Sequence, residues 1–287
     1  MRMNKLGAVL KLTRIEHGVM LIIAVLAAEL MVSGLPNAST LLLSIISPVF
    51  ISMASFAVND YFDIEVDRLN KKNRPLVKGH LKPSHALYIS AFLFIIGVGA
   101  SAMINTYTLA IAIIFTALAI LYSYRMKELF LLGNIYIAFT MVIPFVFGNY
   151  VVSSGLTNGI ILVSVMVFMS GLAREIHGTI RDYKGDIKVR NVRSLPKVLG
   201  VGTSALIALV LYVMAIITSG YLFFTVAPFM TNLIYGVIIT VSDLMLLYVA
   251  VGYVLERSQK FYEKTRNVSL VSMGLALVAI ALSALIH

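Results

Sequence analysis

The sequence predicts an all-α polytopic membrane protein with nine transmembrane helices in one domain over residues 1–287, and three features carry that expectation. The 287 residues are 60% hydrophobic and only 13% charged, about half the charged share of an ordinary soluble domain. All 23 Lys and Arg residues fall in five short segments, 2–14, 68–82, 125–127, 174–197 and 257–266. The basic-free stretches between those segments run to about 40–60 residues, each room for two spans of roughly 20 residues.

The elements follow in order. Each basic-free stretch has a turn-like middle without Lys or Arg, at Ser33-Gly34-Leu35-Pro36-Asn37, Asn105-Thr106, Ser153-Ser154-Gly155, and from Ser219-Gly220 to Pro228. The predicted spans are therefore 16–33, 39–58, 85–104, 107–124, 129–152, 157–174, 200–219, 229–254 and 268–286. Long continuous apolar runs read as helices, because lipid leaves every backbone polar group to be satisfied within its own segment, and runs this long exclude a barrel. The positive-inside rule puts the five basic segments in the cytoplasm and the four bare turns outside, with the N-terminus in and the C-terminus out. The net charge of +10 belongs to this sorting, so nucleic acid is not an expected partner and the lipid bilayer is. No cleavable leader is expected, since the basic segment at 2–14 passes straight into span after span. Cys is absent, which removes disulfides, thiolate metal sites and a cysteine nucleophile.

Two acidic segments follow the second and sixth spans. The first reads Asp60-Tyr61-Phe62-Asp63-Ile64-Glu65-Val66-Asp67 and runs on to Arg74-Pro75; the second reads Asp182-Tyr183-Lys184-Gly185-Asp186 and runs on to Leu195-Pro196. Asp63 and Asp182 are 119 residues apart, as are Asp67 and Asp186. An offset of four spans keeps orientation, which suggests two four-helix repeats plus one helix; two unrelated acidic loops are the alternative. Asn59, Asp63 and Asp67 recur at i, i+4, i+8 and Asp182 and Asp186 at i, i+4, so each set shares a helix face. Clustered carboxylates repel, and cations relieve them. Oxygen ligands without His or Cys suit Mg²⁺, which takes one or two carboxylates plus phosphate oxygens. On that reading the two faces, each beside Lys and Arg, cradle a Mg²⁺-bridged diphosphate. Solvated interfacial acids balancing the basic residues are the plainer alternative.

The run from Asn59 to Asp67, followed by Asn73-Arg74-Pro75-Leu76, resembles the first aspartate-rich motif of the UbiA superfamily of intramembrane prenyltransferases. Arg174-Glu175-Ile176 through Asp182 and Asp186 to Leu195-Pro196 resembles the second, and Tyr122-Ser123-Tyr124-Arg125-Met126-Lys127 with Gly133-Asn134 resembles the segment between spans four and five. The resemblance implies a nine-helix fold and a Mg²⁺-dependent transfer of a prenyl group from a prenyl diphosphate to a lipophilic acceptor. It assigns Mg²⁺ to Asn59, Asp63, Asp67, Asp182 and Asp186, with the four aspartates catalytic. Asn59, Arg14, Arg74, Lys127, Tyr122 and Ser123 are then expected at the diphosphate. Two positions depart from the family pattern. Gly178 and Arg181 stand where a Lys and an acid are common, and Arg14-Ile15-Glu16-His17 replaces Arg-Pro-x-Asn.

Family acceptors include aromatic rings, quinone precursors, tetrapyrroles and geranylgeranylglyceryl phosphate. The first acidic segment and the short chain resemble archaeal ether-lipid members, which makes geranylgeranylglyceryl phosphate the leading acceptor and geranylgeranyl diphosphate the donor. Aromatic C-prenylation is the alternative, favoured by Glu16-His17. A secondary transporter would place ionisable residues near the bilayer midplane. Only Glu29 and Asp243 lie well away from the basic face; Glu29 is expected in solvent at the outer end of its span, and Asp243 either bonds a neighbouring helix or works. His17, His80, His85, His177 and His287 show no ligand spacing.

Overall fold

A computed structural model describes the backbone of residues 4–189 and 194–286, and side chains for 4–183 and 194–286. Its α-helices are α1 (Lys5–Thr13), α2 (Gly18–Val32), α3 (Ala38–Phe62), α4 (Ile64–Leu69), α5 (Pro83–Ala102), α6 (Thr106–Tyr124), α7 (Leu132–Val152), α8 (Asn158–Val189), α9 (Leu195–Thr225), α10 (Leu233–Leu255) and α11 (Gln259–Ile286). Among the described residues nine helices are long and apolar enough to cross a membrane, each overlapping one predicted span. The short α1 and α4 lie outside them.

Three boundaries move. The sixth span was expected to stop at 174, yet α8 continues to Val189, so the second acidic segment begins on a helix and not in a loop. The outer turn expected from Ser219-Gly220 falls later, because α9 runs through both residues to Thr225. One glycine weakens a helix by only about 1 kcal/mol, too little to end one that is packed. The last helix begins at Gln259, nine residues before its apolar run.

Consecutive spanning helices close into a ring, α2 against α3, then α5, α6, α7, α8, α9, α10 and α11, which returns to α2. The most extensive pairings are α3 with α5 and α8 with α9, corresponding pairs four spans apart, as the two-repeat reading expects. Without a hydrophobic drive between helices in lipid, close approach and interhelical hydrogen bonds hold such a ring. A Cβ on Gly148 of α7 would stand 2.5 Å from the Val25 carbonyl oxygen of α2, and one on Gly97 of α5 would stand 3.0 Å from the Ser47 carbonyl oxygen of α3. Ser242 of α10 and Ser272 of α11 each donate a hydroxyl proton to the other's carbonyl at 2.9 Å. Glu29 corrects an expectation: it is completely buried, beside Ser44 of α3, where solvent was expected. The ring tucks the end of α2 behind its neighbours, which apolar spacing along one helix does not reveal.

Candidate functional site: an apolar chamber and two acidic segments

The ring encloses a chamber of about 620 Å³, within the usual range for small-molecule sites of roughly 300–1,000 Å³. Its wall on α6 runs from Ile111 to Ser123, about 18 Å along the helix axis. Most of the lining is apolar, with Phe145, Met166, Leu246 and Leu277 among the contributors, while Arg14, Asn59, Tyr122 and Arg174 gather at one end. Pro48 of α3 and Pro144 of α7 both line it. Proline frees the carbonyl one turn earlier, a defect that membrane helices keep where backbone faces protein or a cavity.

The first acidic segment sits at the polar end. Asp63 caps the end of α3 and starts α4, yet its N–H donates to the Asn59 carbonyl at 3.0 Å and the Asp67 N–H donates to the Asp63 carbonyl at 2.8 Å. The i, i+4, i+8 face therefore survives the change of helix. Each acid meets cations from elsewhere in the chain. Lys127 Nζ is 2.7 Å from Asp63 Oδ1; Asp67 holds Lys72 at 2.8 Å and Arg74 at 3.6 Å. Lys127 is held in place by a close backbone approach, since a Cβ on Gly133 would stand 3.2 Å from the Lys127 Cα.

Arg14 reaches the same end by a local device. It adopts φ 47°, ψ 51° between α1 and a short 3₁₀ turn at Ile15–His17, a left-handed conformation that costs a non-glycine residue about 1–2 kcal/mol. The turn lays the guanidinium over Phe56, 4.4 Å from the ring centroid, and against Asp60 at 2.7 Å. Burial pulls the Arg14 guanidinium below its ordinary value, and the Asp60 charge pulls it back up. Arginine remains protonated through such shifts.

Asp60 is the residue that sequence reading passed over. It is almost fully buried, pairs with Arg14 and lies 3.9 Å from Arg74. The available signal was its i, i+7 spacing to Asp67, which puts both near one face and lets Arg74 reach each.

The second segment is arranged differently. Asp182 takes a two-pronged bond from its neighbour Arg181, with both contacts at 2.8 Å. It lines a smaller pocket beside the chamber, and Arg174 and Glu175 line both spaces. Asp186 lies on α8 beyond the described side chains, so its expected role falls outside the described residues. Among the described residues no group of three or more His, Cys, Asp or Glu is placed to hold a metal unaided. The oxygen donors nevertheless suit Mg²⁺ carried in with a phosphate ligand. Asn59 faces the chamber with a buried Oδ1 that has no hydrogen-bond partner, and Asp60 Oδ2 is likewise unsatisfied.

A family model described as the UbiA prenyltransferase family matches residues 20–272. The chain belongs to the UbiA prenyltransferase family. It is similar to the digeranylgeranylglyceryl phosphate synthase of Archaeoglobus fulgidus, 38% identical over 95% of this chain and 94% of that protein. A solved structure concerning digeranylgeranylglyceryl phosphate synthase in membranes superposes with TM-score 0.82 at 28% identity, over 99% of this chain and all of that one. A UbiA homologue from Archaeoglobus fulgidus, solved bound to GPP and Mg²⁺, shares the fold at TM-score 0.66 and 17% identity, over 95% of this chain and 99% of that chain.

Of the expected site residues, Arg14, Asn59, Tyr122 and Ser123 line the chamber, while Asp63, Asp67, Arg74 and Lys127 form the ion pairs of the first acidic segment next to it and are not part of its lining. Tyr122 stacks on Tyr136 with centroids 4.7 Å apart. The Ser123 hydroxyl donates to the Ala119 carbonyl at 2.8 Å, which leaves only its lone pairs for a ligand. Asp243 makes the interhelical bond that was one of its two expected uses, accepting from the Ser219 hydroxyl of α9 at 2.6 Å, and it also lines the chamber.

Proposed function

We propose that this single-domain chain transfers a geranylgeranyl group from geranylgeranyl diphosphate to geranylgeranylglyceryl phosphate, with Mg²⁺, at the cytoplasmic end of the chamber. The carrying observation is the chamber itself, apolar along its length and closed at one end by Arg14, Asn59, Tyr122 and Arg174 beside the first acidic segment. The relative in Archaeoglobus fulgidus, named for the product of this reaction, supports the acceptor. The homologue holding GPP with Mg²⁺ supports the donor and the metal.

The prenyl tail lies among the apolar side chains, which exclude water from the reacting carbon. Asn59, Asp63 and Asp67, with Asp182 and Asp186, would hold Mg²⁺. Bound there, Mg²⁺ neutralises diphosphate charge and makes it a better leaving group. Arg14, Arg74 and Lys127 stand ready at the acids and exchange those partners for diphosphate oxygens, stabilising the charge that develops as the bond breaks. The C1–O bond to diphosphate breaks and its electron pair leaves with diphosphate. The free acceptor hydroxyl forms the new C–O ether bond, and its proton passes to released diphosphate.

Orientation completes the reading. The one-sided basic segments support a cytoplasmic polar end. Gln259 at the start of α11 donates to the Arg181 carbonyl at 3.2 Å, so the far end of that 28-residue helix lies about 40 Å away on the outer side.

The test supplies purified protein with Mg²⁺ and geranylgeranyl diphosphate, offering geranylgeranylglyceryl phosphate and 4-hydroxybenzoate in parallel. The digeranylgeranyl ether should form and depend on Mg²⁺. Prenylation of 4-hydroxybenzoate alone would replace the acceptor, and intact diphosphate with both acceptors would sink the enzyme reading.

A further inference from the structure

The chemistry just described leaves His17 without a use. It stands where Asn is common in the family pattern, and the fold carries it into the chamber wall together with Arg14, Phe56 and Asn59. A tight local turn does this: the His17 N–H donates to the Arg14 carbonyl at 3.0 Å, within the 3₁₀ turn at Ile15–His17. Both side chains then meet one ring of α3. The Arg14 guanidinium lies 4.4 Å from the Phe56 centroid, and the His17 ring is 5.0 Å from it with planes 44° apart. Phe56 precedes Asn59 by three residues, so the two share a helix face. The next turn of α2 adds Met20 and Leu21 to the wall. His17 therefore lies where the polar end gives way to the apolar length of the chamber.

Ether formation needs a base at this boundary. A hydroxyl that attacks carbon must give up its proton, and a positioned base contributes about 10²–10⁴-fold to such a step. The other titratable groups of the described lining serve poorly. The guanidinium groups of Arg14 and Arg174 have no acceptor, and the phenols of Tyr122 and Tyr136 keep their protons at neutral pH. Glu175 is paired with Arg174 at 3.2 Å. Asp243 accepts from Ser219 at 2.6 Å, and it lies about 18 Å along the axis from the end of α10 at Leu255. Outside the lining, Asp60, Asp63 and Asp67 are each held by a cation. An imidazole accepts and releases a proton near neutral pH, and His17 is the imidazole in the described lining.

We infer, resting on the transfer reading above, that His17 is a catalytic residue that carries the acceptor's proton to released diphosphate. As the C1–O bond to diphosphate breaks, its electron pair leaves on diphosphate and a lone pair of the acceptor oxygen forms the new C–O bond. The O–H electron pair stays on the ether oxygen, and the proton moves to the unprotonated imidazole nitrogen. Arg14, on the same Phe56 ring, repels the imidazolium so formed. Released diphosphate is negative and takes the proton, which returns His17 to its neutral form for the next turnover.

The experiment gives full-length protein Mg²⁺, geranylgeranyl diphosphate and geranylgeranylglyceryl phosphate, and compares wild type with His17→Ala, His17→Asn and Glu175→Gln. His17→Ala and His17→Asn should each lower kcat about 100-fold or more, with both KM values held within about twofold. Added imidazole should raise the rate of His17→Ala about tenfold or more, saturably, and should do nothing for Glu175→Gln. Calorimetric binding of geranylgeranyl diphosphate with Mg²⁺ should be equal in wild type and both His17 variants, because the proton moves only after the donor is bound. His17→Asn, close in size to the imidazole, decides by kcat and donor binding if His17→Ala does not fold. Wild type that prenylates only 4-hydroxybenzoate refutes the acceptor reading alone; the same comparison is then read on that product, whose ring carbon also sheds a proton. In an active enzyme, an unchanged kcat in His17→Asn, a folded His17→Ala that imidazole does not rescue, or a matching loss of donor binding overturns the proposal and spares the transfer reading. Wild type inert towards both acceptors overturns the two together.

Discussion

Arg14 Nη2 stands 2.7 Å from Asp60 Oδ1, joining the turn before the first spanning helix to the C-terminal end of the second. The acid is almost fully buried and the arginine is partly buried. Removing one partner of such a pair leaves a charge without compensation, at a cost of about 3–5 kcal/mol. Asp60→Asn should accordingly lose about 3 kcal/mol of stability, toward the lower limit because Arg14 keeps some water contact. The double change Arg14→Met with Asp60→Leu should lose less than Asp60→Asn alone, since pairwise coupling makes neighbours non-additive. Thermal unfolding in detergent measures both, and a midpoint unmoved by Asp60→Asn would show that the pair contributes nothing.

Asp63 and Asp67 are held by Lys127, Lys72 and Arg74. If those acids serve Mg²⁺ and diphosphate, Asp63→Asn, Asp67→Asn and Asp182→Asn should each lower turnover by about 100-fold or more, and chelating Mg²⁺ from wild type should do the same. Circular dichroism should show an intact helical fold. Full activity in any one variant removes that carboxylate from the mechanism.

Gly274 lines the chamber on α11, and a Cβ there would meet nothing nearer than Met20 Cε at 3.9 Å. Gly274→Phe should fill part of the space taken by the tail. Transfer from geranylgeranyl diphosphate should then fall about tenfold or more, a loss of roughly 1.4 kcal/mol in transition-state binding, while geranyl diphosphate is spared. An unchanged ratio of kcat/KM for the two donors would mean the tail lies elsewhere.

The α2–α7 crossing is tight at Gly148, where a side chain would meet the Val25 carbonyl oxygen and the Ala28 Cβ at 2.5 and 2.9 Å. Gly148→Leu should cost about 1–3 kcal/mol by overpacking, read as a lowered unfolding midpoint in detergent. Gly220 has open space around it, so Gly220→Ala should be neutral or slightly stabilising. Equal behaviour of the two would contradict the close approach.

Much of the fold was legible without coordinates because insertion is decided segment by segment. A run such as 107–124 is apolar enough to partition on its own, and the observed α6, Thr106–Tyr124, differs by one residue. The one-sided charge and the face shared by Asn59, Asp63 and Asp67 are local too, since backbone spacing sets them. Boundaries failed where a helix ran past its apolar stretch, as when α8 continued through the charged residues to Val189.

The site divides in the same way. Sequence by itself determined nine spans, the sorting of the basic segments to one side, and the face that Asn59, Asp63 and Asp67 share, because hydropathy and i, i+4 geometry depend on neighbours in the chain. Only the tertiary structure decided that Asp60 meets Arg14 across 46 residues, that Asp63 meets Lys127 across 64, and that Arg266 shares a pocket with His177. Those meetings depend on which helices adjoin and how closely they cross. That is set by small residues such as Gly97 and Gly148 and by serine pairs such as Ser242 with Ser272, acting between segments far apart in the chain.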